Sequence, residues 1–214
     1  MVFNANPDNP TGTYVTKREL ESFLSGLPER VVIFLDEAYF EFANNCAKDY
    51  PNGLNYFNGR KIIVSRSFSK AYGLAGLRVG YAVADRAIIS YMERVRDPFN
   101  VNILAQAAAT EALGDKEFLK NTLKHVETEK VFLYSAFRRM GIDYIRSATN
   151  FILFDIKTDC VKAFEKMLKG GVIVRDMKAW GLNTFLRVTV GTRKENRRFV
   201  ETLKKVLDTT GDKA

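Results

Sequence analysis

Five apolar residues in a row, "VVIFL" at 31–35, run straight into the charged pair Asp36-Glu37. A strand with one wet face alternates apolar and polar residues. An unbroken run has to be covered on both faces, the situation of a strand inside a parallel sheet. "KIIVSRS" at 61–67 and "VGYAVA" at 79–84 repeat the theme. Such strands, separated by helices or long connections, predict a doubly wound α/β sheet, and sheets of that kind bind ligands outside the carboxyl ends of their strands. The rule directs attention to Asp36 and Ser67.

Helix signals fill the intervals. Thr16 followed by Glu19 has the capping-box spacing, with Leu20, Phe23, Leu24 and Leu27 behind it, so a helix is expected over 17–27, closed by Pro28. Asp85 caps another that ends near Asp97-Pro98, and 101–112 reads as helix up to the Gly114-Asp115 break. The domain boundary is placed there. Beyond it come a long amphipathic helix over 116–140, strand "NFILFDI", a helix over 159–169, strand "GVIVRD", strand "TFLRVTV" and a final helix over 193–207. Gly170 and Gly171 supply the turn into the middle strand of this module. The expected organisation is therefore residues 1–114 as part of an α/β domain with a mainly parallel sheet, then residues 115–214 as a smaller α+β domain. Residues 209–214 read as a frayed polar tail.

Several function classes lose support on composition. With 214 residues, 46% of them apolar, the chain has the makings of a folded globular protein. No apolar run is long enough for a bilayer and the N-terminus lacks the order of a secretory signal, so a cytoplasmic protein without a membrane partner is expected. Cys46 and Cys160 fit no zinc spacing and His125 is the single histidine, which leaves a metal site almost no ligands; both cysteines are read as reduced and His125 as a helix-surface residue. The net charge of +8 raises nucleic-acid binding, yet Lys and Arg recur beside Glu along helical segments instead of clustering on one face. No nucleic-acid partner is expected, and the excess charge is left for smaller anions.

Two stretches carry the chemistry. "NPDNPTG" at 6–12 is stiff, because Pro7 and Pro10 fix φ while Asn6, Asp8 and Asn9 can fold back on the backbone; alone it could be no more than a tight turn. "SRSFSKAYGLAGLR" at 65–78 places a lysine at a strand-to-loop junction. Lys70 alone reads as a solvated surface lysine. In company with the hydroxyls of Ser67 and Ser69, the planar fork of Arg78, and Gly73 and Gly76, it resembles a phosphate cradle around an amine. An amine beside a phosphate site points to pyridoxal 5′-phosphate held as a Schiff base, which needs a carboxylate at its pyridine nitrogen. Asp36 meets that need, and Tyr39 could reach the phenolic oxygen; Asp36 alone could equally be a strand-end turn or a helix cap.

The ordered set Asn9-Pro10-Thr11-Gly12, Asp36-Glu37-Ala38-Tyr39, Ser67-Phe68-Ser69-Lys70 and Arg78 resembles the fold-type I, class I/II aminotransferases. The resemblance implies a fold-type I large domain followed by a smaller C-terminal domain, with pyridoxal 5′-phosphate as cofactor. It implies that Asn9 and Tyr39 bind the phenolic oxygen, Asp36 the pyridine nitrogen, and Ser67, Ser69 and Arg78 the phosphate. Lys70 would carry the cofactor and later shuttle the proton. Within that family "GVIVRDM" and "FLRVTVGTRKENRRFVETL" are most similar to the histidinol-phosphate aminotransferases, which implies that Arg187, with Arg175, grips the substrate's anionic group. Both could instead be surface strand residues in ion pairs; alternation in "TFLRVTV" puts Arg187 on one face with Phe185 and Thr189, which does not decide it.

Family members carry a large portion ahead of the "NPxNPTG" loop that is absent here, so a C-terminal fragment is expected, incomplete as a catalyst. The implied reaction moves an amino group from histidinol phosphate to 2-oxoglutarate in histidine biosynthesis, by a homodimer. The alternatives are an aromatic aminotransferase, a threonine-phosphate decarboxylase, or a non-catalytic remnant of the fold.

Overall fold

The computed structural model describes residues 1–57 and 60–211, side chains through 208. Two compact units divide the chain. The first comprises Met1–Asn9 and Thr13–Leu123, the second Pro10–Gly12 and Lys124–Ala214.

In the first unit β1 (Val2–Ala5), β2 (Ile33–Asp36), β3 (Ile62–Ser67) and β4 (Gly80–Ala84) form a sheet in that order. β1, β2 and β3 are parallel, with Ala5 level with Asp36 and Asp36 level with Ser65. Helix α1 (Lys17–Gly26) starts at the predicted capping box: Thr16 Oγ1 accepts the Glu19 amide at 3.3 Å, and Glu19 Oε2 accepts the Thr16 amide at 2.8 Å. Its Leu20 and Leu24 pack on Ile33, Leu35, Ile62 and Val64. Each such buried side chain contributes roughly 1.5–3 kcal/mol. A short helix, α2 (Phe40–Cys46), follows β2; no sequence signal marked it.

β4 departs from the expected pattern. It runs antiparallel to β3, and Tyr81 and Val83 are 38% and 37% exposed, so it is not a strand covered on both faces. The cause lies in its connection. A parallel return needs a crossover, usually a helix, whereas residues 68–79 hold only a single 3-10 turn at Ala75–Leu77 and close on themselves through Phe68 N–H to Val79 O, 3.2 Å. Helices α3 (Arg86–Val95), capped by Asp85, and α4 (Ile103–Gly114) follow, then α5 (Lys116–Arg139), of which the first unit holds the part up to Leu123. Phe68, Val79, Ala105 and Ala109 pack as a second core.

In the second unit β5 (Asp143–Tyr144), β6 (Phe151–Asp155), α6 (Cys160–Lys169), β7 (Arg175–Asp176), β8 (Phe185–Thr189) and α7 (Arg193–Gly211) build an antiparallel sheet of order β5-β6-β8-β7 with helices. Phe137 of α5 stacks on Phe154 at 4.8 Å, and Phe199 of α7 meets both rings edge-on. The strand expected over "GVIVRD" shrinks to two residues at the sheet edge, because Val172 N–H still closes the end of α6 on Met167 O. Gly171, at φ +73°, makes the expected turn. α7 runs to Gly211, so the expected tail begins in helix; 212–214 lie outside the described residues.

No helix among the described residues is long and apolar enough to cross a membrane, and none of their His, Cys, Asp and Glu side chains form a group of three or more that could hold a metal. Cys46 is exposed and Cys160 buried, neither joined in a disulfide, and exposed His125 places Nε2 3.0 Å from Gly191 O.

Candidate cofactor and anion sites

The stiff loop is clamped at its base by Asn6. That side chain accepts the Val15 amide at 2.9 Å and donates to Val15 O at 3.1 Å, while Tyr50 Oη donates to Asn6 O and the Asn6 amide joins Asp36 O at 2.9 Å. Asp8 N–H to Thr13 O, 2.8 Å, closes the next rung. Clamped in this way, the loop holds Asn9, as expected of a turn with two prolines, and presents Asn9 Nδ2 to Tyr39 Oη at 3.4 Å.

Asp36 ends β2 at the carboxyl edge of the sheet, half-buried. Its Oδ1 accepts the Ala38 amide at 3.0 Å and the Ser65 hydroxyl at 3.3 Å. Anchoring through one oxygen orients the carboxylate and leaves the other for a ligand. Three residues on, Tyr39 is 6% exposed, and Lys70 Nζ lies 5.5 Å from its ring centroid. Asn9, Tyr39 and Lys70 thus converge from three chain segments.

Lys70 sits in the closed 68–79 loop, which Phe68 and Ala71 anchor in the interior. Ser67 Oγ accepts the Ser69 amide at 3.0 Å and the Gly73 amide bonds Lys70 O at 3.1 Å, so the backbone around Lys70 is set on both sides. Arg78 is exposed in the left-handed region at φ +54°, and its Nη1 donates to Ala75 O at 2.8 Å. A non-glycine residue there carries strain of order 1 kcal/mol.

Sequence reasoning passed over a buried charged group beside these residues. Arg66 alternates with Ser65 and Ser67 and so points to the opposite face, where it pairs with Glu37 at 2.8 Å. A single charged residue within the strand "IIVSRS" was the available signal. Glu41, four residues after Glu37 and in the first turn of α2, is buried, and its Oε2 has no hydrogen-bond partner among the described residues. Burial pushes its carboxyl from the ordinary 4.5 up to about 7; its own amide and Arg66 oppose the rise and Glu37 adds to it. A folded chain that keeps a proton the unfolded chain has lost becomes less stable as pH rises between those values, by roughly 3 kcal/mol. Urea unfolding from pH 4.5 to 8 should show that decline in the parent and a flatter profile in Glu41→Gln; an unchanged slope in the variant would assign the decline elsewhere.

In the second unit Arg175 of β7 and Arg187 of β8 are direct partners in the ladder, so they share a face. Sequence alternation could not show this. Arg187 lies 4.9 Å over the Phe151 ring and Arg175 5.8 Å over Trp180. Phe151 is held by its approach segment: Lys130 Nζ, fully buried, donates to Ser147 O at 2.8 Å, and Ser147 N–H donates to Tyr134 Oη at 2.9 Å. Like charges directly opposite in a ladder repel, so the row concentrates positive charge on one face of the sheet.

Known proteins share both the sequence and the backbone. Histidinol-phosphate aminotransferase 2 of Carboxydothermus hydrogenoformans is 50% identical over 97% of this chain and 58% of its own length. The crystal structure of histidinol-phosphate aminotransferase from Sinorhizobium meliloti in complex with pyridoxal-5′-phosphate superposes with a TM-score of 0.89 at 28% identity, covering 98% of this chain and 58% of that one. L-threonine-O-3-phosphate decarboxylase from Porphyromonas gingivalis superposes with a TM-score of 0.81 at 26% identity, over 96% and 64%. The fold is thus that of fold-type I aminotransferases, and the chain spans a little over half the length of the curated relatives it matches. The family described as aminotransferase class I and II matches residues 1–203, and this chain belongs to it.

Proposed function

We propose that the chain is the cofactor-lysine and substrate-anion part of a pyridoxal 5′-phosphate-dependent aminotransferase acting on histidinol phosphate and 2-oxoglutarate. The observation that carries the reading is the Arg175–Arg187 pair opposed on one sheet face, in a chain half identical to a histidinol-phosphate aminotransferase. Two guanidinium forks suit a phosphate dianion, because each can donate two parallel hydrogen bonds.

The donor set of the first unit fits the cofactor. The Asp36 carboxylate, anchored through Oδ1, would meet the pyridine nitrogen with its second oxygen. Asn9 and Tyr39, which meet each other, would hold its phenolic oxygen, Ser67, Ser69 and Arg78 its phosphate, and Lys70 would provide the amine that carries the group. Bound there, pyridoxal 5′-phosphate supplies the electron sink for deprotonation next to an amino group. Lys70 would take the proton from the substrate α-carbon and return it one position along. Tyr39, buried beneath that amine, shields it from water on one side. In this reading residues 1–114 belong to the cofactor domain and 115–214 to the small domain, and the assembly works as a cytoplasmic homodimer.

The test is substrate preference in the full assembly that contains this chain, with light scattering reporting the dimer. Histidinol phosphate should be preferred to histidinol and to phenylalanine. Arg187→Ala should weaken the phosphate substrate selectively, by roughly 2–5 kcal/mol if a buried charge pair is broken, and Arg187→Lys should restore little of it. Preference for phenylalanine would make an aromatic aminotransferase the better account, and carbon dioxide release from threonine phosphate a decarboxylase.

A further inference from the structure

The proposed chemistry makes no use of Arg66, yet its side chain is among the most fully engaged in the first unit. Nε and Nη2 both donate to Glu37 Oε2, at 2.9 and 2.8 Å, and Nη2 also donates to Asn52 Oδ1 at 2.7 Å. The guanidinium lies 3.4 Å over the Phe40 ring. Glu37 Oε1 accepts the Gly53 amide at 2.7 Å, and a Cβ on Gly53 would fall 2.7 Å from the same oxygen, so the approach requires glycine. The Arg66 and Glu37 side chains are 9% and 3% exposed.

Stability alone does not account for such a pair. Desolvating two charges offsets most of their attraction, and apolar replacements of similar volume often do as well. What a forked guanidinium adds is direction. Glu37 follows Asp36 and its amide bonds Ser65 O at 2.9 Å, while Phe40, under the guanidinium, follows Tyr39. Arg66 therefore holds the chain on both sides of Ala38-Tyr39. We propose that Arg66 and Glu37 are a positioning pair that sets the Asp36 carboxylate and the Tyr39 hydroxyl at the spacing a pyridine ring requires. The proposal rests on the reading of those two residues as cofactor ligands. In that reading neither member of the pair would touch the cofactor.

The discriminating variant is Arg66→Met/Glu37→Gln, which removes both charges and keeps an acceptor for the Gly53 amide. It should unfold at about the parent's urea midpoint, whereas Arg66→Met alone, which strands a buried carboxylate, should not. In the cofactor-free double variant, amide hydrogen exchange at residues 36–40 should quicken at least tenfold with the second unit unchanged. Titrated with pyridoxal 5′-phosphate and followed by absorbance, it should bind at least tenfold more weakly than the parent. Arg66→Lys, which keeps the charge without the fork, should show both effects in smaller measure and stands in if the double variant does not fold. Parent-like affinity in the folded variant overturns the proposal, as does weaker binding without faster local exchange. A parent that takes up no cofactor defeats the functional reading instead, while the exchange measurement still decides whether the pair holds residues 36–40.

Discussion

Borohydride reduction of the chain loaded with pyridoxal 5′-phosphate should leave one stoichiometric pyridoxyl adduct, on Lys70, and Lys70→Ala should abolish it. The chain has 17 lysines, so the outcome is not settled by the availability of amines. What sets Lys70 apart is its mounting. The loop that carries it is closed by Phe68 and Val79, its flanking amides are bonded to Ser67 Oγ and to its own carbonyl, and its Nζ stands over Tyr39. A surface lysine would have to give up side-chain freedom to take one geometry, at about 1.5–2 kcal/mol; Lys70 is half-buried and part-way there. Peptide mapping that finds the adduct on another lysine, with Lys70 unmodified, would remove the assignment.

Gly12→Ala should be the most damaging small substitution in the loop, costing about 2–5 kcal/mol. Gly12 has φ +76°, a region that disfavours a Cβ by roughly 1–2 kcal/mol. A Cβ there would also lie 2.5 Å from Ser147 Oγ and 2.9 Å from Ser147 Cβ, an overlap that typically costs 1–3 kcal/mol to relieve. Ala148 N–H bonds Gly12 O at 2.8 Å, so moving the loop away breaks that bond. The two causes separate in a double-mutant cycle: Ser147→Gly should recover the overlap but not the backbone cost. Urea midpoints of the four chains measure it, and a Gly12→Ala chain as stable as the parent would sink both causes.

Much of this was legible in the residues because the relevant physics is short-ranged. Thr16 and Glu19 announced α1, Asp85 announced α3, and "VVIFL" a strand, since caps and apolar runs act within a few residues of themselves. But β2 begins only at Ile33 and alternates buried Ile33 and Leu35 with half-buried Phe34, so it is fully covered on one face and not on both. The spacing of Asn9, Asp36, Tyr39 and Lys70 could be matched to a family, but their convergence depends on parallel β1, β2 and β3 bringing segments far apart in the chain to one sheet edge. The antiparallel return of β4 escaped notice because a run of apolar residues carries no direction; the closure of Phe68 on Val79 supplied it. The resemblance joined Arg175 to Arg187 at one anionic group, but that they lie directly opposite on one sheet face was decided only by the β7–β8 register. Arg66 and Glu37 read as two ordinary charges, because ion pairing in the interior depends on which side chains meet after the sheet has formed, and that is fixed by long-range packing and not by neighbours in the chain.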